Sequence, residues 1–185
     1  MLVVLVLGMN FLAFGQEESP KNSLHGDMEL ECTVENGKVT CQVKTFITYG
    51  GKGKLGGYCW VQNSKDYNQA YCGPTYQVKP WLQVGGGIGA QTGENRFNAG
   101  AFVWVGKSIN GKFVSNLFVV EKAGAWYRNV TSVQLNKRFT ASLVEQRYSG
   151  IGPRVDIKLS KNLSAGVEVN FGESTKTKFG LKISF

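Results

Sequence analysis

The sequence contains one histidine, His25, beside Gly26 in a polar stretch near the start. Hydrolytic nucleophiles are usually activated by a neighbouring histidine. With no other histidine in the chain, that chemistry is excluded and no enzyme is expected. No CxxC pair occurs among Cys32, Cys41, Cys59 and Cys72, so a structural zinc site lacks its usual ligand spacing. No apolar run reaches the roughly 18 residues that mark a transmembrane helix, and long helical periodicity is missing. Acidic residues are few: 13 against 21 Lys and Arg, a net charge of +8. The basic residues are scattered, which excludes a nucleic-acid-binding arm or a polybasic membrane anchor. The glycine run Gly85-Gly86-Gly87-Ile88-Gly89 lacks the Lys-Ser/Thr ending of a phosphate loop, and no cofactor is expected.

Glycine is abundant, with 24 residues, and aromatics make up 12% of the 185 residues. The clearest pattern lies at the end of the chain. Leu163, Ala165, Val167, Val169 and Phe171 alternate with Ser164, Gly166, Glu168 and Asn170. Phe179, Leu181, Ile183 and Phe185 then alternate with Lys178, Gly180, Lys182 and Ser184. Alternation of period two marks strands with one apolar and one polar face. The pattern at Val133, Leu135, Lys137, Phe139, Ala141 and Leu143 recurs at Ile157, Leu159, Lys161, Leu163, Ala165 and Val167. The repeating unit is a β-hairpin.

Residues 1–15 read as a signal peptide, with an apolar run Leu2 to Phe14 and a small-x-small site before Gln16, although a basic start is missing. Residues 16–27 read as a flexible leader. Export makes the even number of cysteines a disulfide set. Residues 28–78 form two hairpins. Asn36-Gly37 is a strong two-residue hairpin turn, and counting outward sets Cys32 opposite Cys41 in a non-hydrogen-bonded pair, where the backbones approach most closely. Cys59 and Cys72 are left to pair, and a turn near Lys65-Asp66 sets them opposite each other. Residues 79–185 supply eight further strands of about ten residues, the length of a tilted transmembrane strand.

An all-β, antiparallel up-and-down meander of this kind closes into a barrel, because closure removes both edges. Including residues 28–78 gives twelve strands. The alternative is an eight-stranded barrel preceded by a small disulfide-stapled hairpin domain. Against twelve, Cys32 and Cys41 lie on the apolar face. The direction of the faces decides the setting. With the apolar face inward, the protein is a soluble exported barrel binding an apolar ligand; with it outward, the barrel spans a membrane around a polar lumen. Three features favour the membrane. Aromatics cluster at strand ends, with Trp81, Phe113, Phe139 and Phe185 beside one set of turns and Phe97, Trp126, Tyr127, Tyr148 and Phe171 beside the other. The polar faces carry both signs: Arg128, Arg154, Asp156, Lys158, Glu168, Lys178 and Lys182. The last strand alternates to its final residue. Glu145 and Arg147 break the pattern, since they fall where apolar residues are expected, and Phe102 and Trp104 share a face with Asn98 and Gly100.

The export signal, the meander and the ending Lys178-Phe179-Gly180-Leu181-Lys182-Ile183-Ser184-Phe185 resemble small bacterial outer-membrane β-barrel proteins. The resemblance covers the architecture of residues 70–185. It implies a location in the bacterial outer membrane and an assembly signal at Phe179, Leu181, Ile183 and Phe185 that the insertion machinery reads. The expected function is a structural barrel or a small anion-preferring pore. The expected partners are the lipid bilayer, that machinery and small anionic solutes.

Overall fold

The computed structural model describes residues 23–50, 54–93, 96–121 and 126–185. The stretch read as a signal peptide and residues 16–22 of the expected leader lie outside these residues, as do residues 51–53, 94–95 and 122–125. Twelve antiparallel strands follow one another round a closed barrel: β1 Ser23–Glu35, β2 Lys38–Gly50, β3 Leu55–Ser64, β4 Asn68–Lys79, β5 Leu82–Gln91, β6 Phe97–Ile109, β7 Lys112–Glu121, β8 Trp126–Gln134, β9 Phe139–Gln146, β10 Gly150–Lys158, β11 Leu163–Phe171 and β12 Thr175–Ser184. The twelve-strand reading holds, and the two N-terminal hairpins are barrel strands rather than a separate domain.

β1 begins at Ser23, inside the stretch expected to be a leader. Its first residues are held by pairing on both sides. Gly26 exchanges backbone hydrogen bonds of 2.9 and 2.8 Å with Phe185 and stands opposite Ile47 of β2. Closure of the seam between β1 and β12 therefore recruits Gly26 and Asp27, which local composition reads as tail.

The first turn is built as its residues require. Asn36 and Gly37 adopt φ of 49° and 72°, the left-handed conformation of a type I′ turn. The register running back from it sets Cys32 opposite Cys41, and the second hairpin sets Cys59 opposite Cys72. Both pairs are disulfide-bonded, with Cα separations of 4.0 and 4.1 Å.

The faces decide what surrounds the barrel. Met28, Leu30, Val43, Ile88, Val103, Leu143, Val155, Val167 and Leu181 point outward, with Ile88 66% and Leu143 52% exposed. Four of the five most fully enclosed side chains among the described residues are polar: Glu31, Glu168, Asn98 and Asn170 lie at 1% exposure or less, with Val144 the apolar one. This inverts a soluble barrel and removes the reading in which an apolar face lines a ligand cavity throughout. Both disulfides sit on the outer face. The bonded sulfurs carry no hydrogen-bonding demand, so they suit an apolar setting better than the thiols would.

No helix among the described residues is long and apolar enough to cross a membrane, which has no bearing on crossing by strands.

The outer aromatic belts are less complete than the alternation suggests. Phe97, Tyr148 and Phe171 face outward near one end, and Trp81 and Phe139 lie near the other. Phe113 and Trp126 instead line the interior cavity. Phe113 stacks on Trp104 at 6.4 Å between ring centroids. Glu145 does face outward, near the end of β9, where the Tyr127 hydroxyl donates to it at 3.1 Å. A charge on the outer face costs least at such a rim.

Candidate functional site: a lumen with two unlike walls

The interior encloses a cavity of about 910 Å3. It runs from Asp27, Lys182 and Gln134, beside the end that carries the start of β1 and the close of β12, to Tyr67, Gln69 and Glu121, beside the opposite end. Strand pairing gives cross-strand neighbours the same facing, and this sorts the lining into two walls.

One wall, from β8 round to β2, is charged. All seven residues that the sequence singles out, Arg128, Arg154, Asp156, Lys158, Glu168, Lys178 and Lys182, lie on inward-facing register positions of β8, β10, β11 and β12. They are not a uniform positive lining. Glu168 receives Lys178 at 2.7 Å and Arg128 at 2.9 Å, with Arg154 at 3.6 Å. Arg154 also binds Asp156 at 2.8 Å and Glu29 at 2.7 Å. Lys158 and Lys182 remain. Among the described residues neither lies within ion-pair distance of a carboxylate, and both flank Ser164 at one end of the cavity.

The charge on this wall extends into β1 and β2. Glu29 and Glu31 on β1 and Lys44 on β2 face inward, and Lys44 binds Glu31 at 2.8 Å. Their signal was present in the alternation of Asp27, Glu29, Glu31, Thr33 and Glu35 with Met28, Leu30, Cys32 and Val34. With β1 in the barrel, those acids offset much of the positive charge counted from the later strands alone. From Glu31 an amide chain runs on along the inside. Gln42 donates to Glu31 at 2.7 Å, Gln62 to Gln42 at 2.7 Å and Gln69 to Gln62 at 3.0 Å. Gln69 then donates to Glu121 at 3.1 Å, and the Tyr71 hydroxyl donates to the same carboxylate at 2.7 Å.

The other wall, from β2 to β8, is aromatic and aliphatic. Tyr58, Tyr71 and Phe102 form a buried cluster, with Phe46, Trp60, Trp104, Leu117 and Val119 packed round it. Tyr58 and Phe102 meet edge to face at 5.0 Å, and Phe46 reaches Phe102 at 5.9 Å although β3, β4 and β5 lie between their strands. The glycine run of β5 makes this packing possible. Gly85 stands opposite Phe102, and a Cβ on Gly85 would collide with that ring. Phe102 and Trp104 keep the facing they share with Asn98 and Gly100 in the sequence, and that face is the inner one. The extent of the apolar wall had no signal of its own, because aromatic residues on an inward face look like those of an outward face until the barrel closes.

By sequence, the chain matches no protein-family model and none of the curated proteins. By structure it does match. The KdgM porin, solved in complex with disordered oligogalacturonate, superposes with a TM-score of 0.56 at 15% identity, covering 86% of this chain and 99% of that one. The outer membrane protein Omp33 of Acinetobacter baumannii gives 0.56 at 9% identity, covering 89% and 98%. The NanC porin gives 0.54 at 8% identity, covering 84% and 98%. The fold is that of an outer-membrane porin barrel. An outward apolar face, a partly charged interior and a closed sheet without edges are what a bilayer requires of a spanning β-structure.

Proposed function

We propose that the protein is a pore for small organic anions rather than an enzyme. The observation that carries this reading is the state of the charges. Most inward-facing charges neutralise one another, whereas Lys158 and Lys182 stay without a carboxylate partner among the described residues. The turns at the same end add exposed Lys54, Lys137, Arg138 and Lys161, with no Asp or Glu among the described residues of those turns. Fixed positive charge at a low-dielectric mouth raises the local concentration of anions. KdgM, whose barrel this chain resembles, was solved with an acidic sugar chain, which agrees with an anionic cargo.

In this reading the basic mouth faces the periplasm. The row Phe179, Leu181, Ile183 and Phe185, which lies along the outer side of the seam, is what the insertion machinery engages. The test is the reversal potential in planar bilayers under a salt gradient. The unmodified barrel is expected to prefer chloride over potassium, and Lys158→Glu with Lys182→Glu to reduce or invert that preference. Cation selectivity of the unmodified protein refutes the proposal.

A further inference from the structure

The lumen is amphipathic across its width, and this bears on which anions enter it. We infer that the preferred cargo is a carboxylate with an apolar aromatic or alkyl body rather than a polyhydroxylated acid. The inference rests on the anion-pore reading and narrows it.

Phe46, Trp60, Phe102, Trp104, Leu117 and Val119 all line the cavity. Register makes them continuous: Phe46 stands opposite Trp60, Trp104 opposite Leu117, and Phe102 opposite Val119. Leu117 in turn neighbours Val130 on β8, which lines the cavity as well. The basic pair Lys158 and Lys182 stands on the opposite arc, on β10 and β12. A ligand within the cavity therefore has cations on one side and hydrocarbon on the other.

Two physical arguments select the body. A sugar acid carries hydroxyls round its ring, and a hydroxyl moved from water to a surface without hydrogen-bond partners costs on the order of 1–3 kcal/mol. Leu117, Val119 and Val130 provide no such partners, and Phe46 and Phe102 provide none either. An apolar body gains by leaving water at that same surface. The volume fits too: about 910 Å3 lies within the range of roughly 300–1,000 Å3 typical of sites for small molecules. A pore for any small anion needs only the lysines. The aromatic wall narrows the lumen and would hinder passage of strongly hydrated solutes, so it is a selective surface.

The experiment compares two monocarboxylates, 4-phenylbutyrate and galacturonate, as blockers of chloride current through the full barrel in planar bilayers. Phenylbutyrate is expected to block at concentrations about tenfold lower, the difference that burial of one ring allows. Trp104→Ser with Leu117→Ser should bring the two within about twofold while chloride conductance persists. Heat-modifiable gel migration checks that the variant folds. Leu117→Asn alone, which leaves the aromatic packing in place, carries the comparison if the double variant does not fold. Equal block by both acids, or stronger block by galacturonate, overturns the inference. If the barrel conducts nothing, quenching of tryptophan fluorescence in detergent replaces the current. Quenching by phenylbutyrate and not by galacturonate then keeps the inference and removes the pore, whereas quenching by neither removes both.

Discussion

Arg154 Nη2 donates to Glu29 Oε1 at 2.7 Å although the two residues are 125 positions apart in the chain. The guanidinium starts on β10, passes over β11 and β12, and reaches β1, so it ties the two sides of the closing seam together. Gly166 and Gly180, opposite each other on β11 and β12, leave the passage it uses. A Cβ at Gly166 would come within 3.1 Å of Arg154 Nη2, and one at Gly180 would clash with the Glu29 carboxylate. Arg154 suits the position because one planar fork serves Asp156 and Glu29 together.

Breaking this tie should weaken the barrel more than a surface ion pair would. Arg154 is 11% exposed, and removing one partner of a buried pair typically costs about 3–5 kcal/mol. Arg154→Gln is expected to lower the denaturant midpoint of the gel-shift transition. Adding Glu29→Gln should cost less than the sum of the two single changes. Gly180→Leu should resemble Arg154→Gln, since it fills the passage without removing a charge. Additive effects of Arg154→Gln and Glu29→Gln would show that the contact is not coupled.

Lys178 and Lys182 share a strand and a facing but should respond differently. Lys178 is buried against Glu168. Replacing it with Gln leaves Glu168 with its arginine neighbours, and stability should fall while anion preference changes little. Lys182→Gln should lower anion preference with little change in stability. Paired measurements of reversal potential and thermal gel shift on the two variants separate these outcomes.

The disulfides should matter unequally to register. Cys32–Cys41 spans 9 positions and Cys59–Cys72 spans 13. Loops this short stabilise by only about 2–3 kcal/mol in the chain-entropy account. The first bridge holds the register of β1, whose slip by one residue would turn Glu29 and Glu31 toward lipid. Cys32→Ser with Cys41→Ser is expected to reduce the folded yield more than Cys59→Ser with Cys72→Ser, read as the heat-modifiable fraction after refolding.

The outer row of β12 supplies an assembly test. Phe185→Ser should lower the membrane-inserted fraction in cells far more than Ser184→Ala, since Ser184 turns its hydroxyl inward to Asp27 at 2.5 Å while the row to which Phe185 belongs faces lipid. Equal insertion of the two variants would remove the assembly role of this row.

Much of the fold was legible in the chain because strand faces are local. The alternation at Leu163–Phe171 and Phe179–Phe185, the Asn36-Gly37 turn and the cysteines counted out from it each depend on neighbours a few residues away. These features led to a meander barrel, to strands of about ten residues and to both disulfides. What the chain could not reveal was the meeting of distant strands. That β1 starts at Ser23, that Glu29 crosses to Arg154 and that Glu168 gathers cations from β8, β10 and β12 all follow from closure. Closure is a property of the whole sheet, and no segment carries it. The lumen charge seen along the later strands was therefore too positive, and of the aromatic wall only Phe102 and Trp104, which share a face with Asn98 and Gly100, stood out in the sequence. Period two says which side chains share a face. Only the closed sheet decides which of those faces meet across the lumen, and that meeting sets which charges cancel and which remain for a solute.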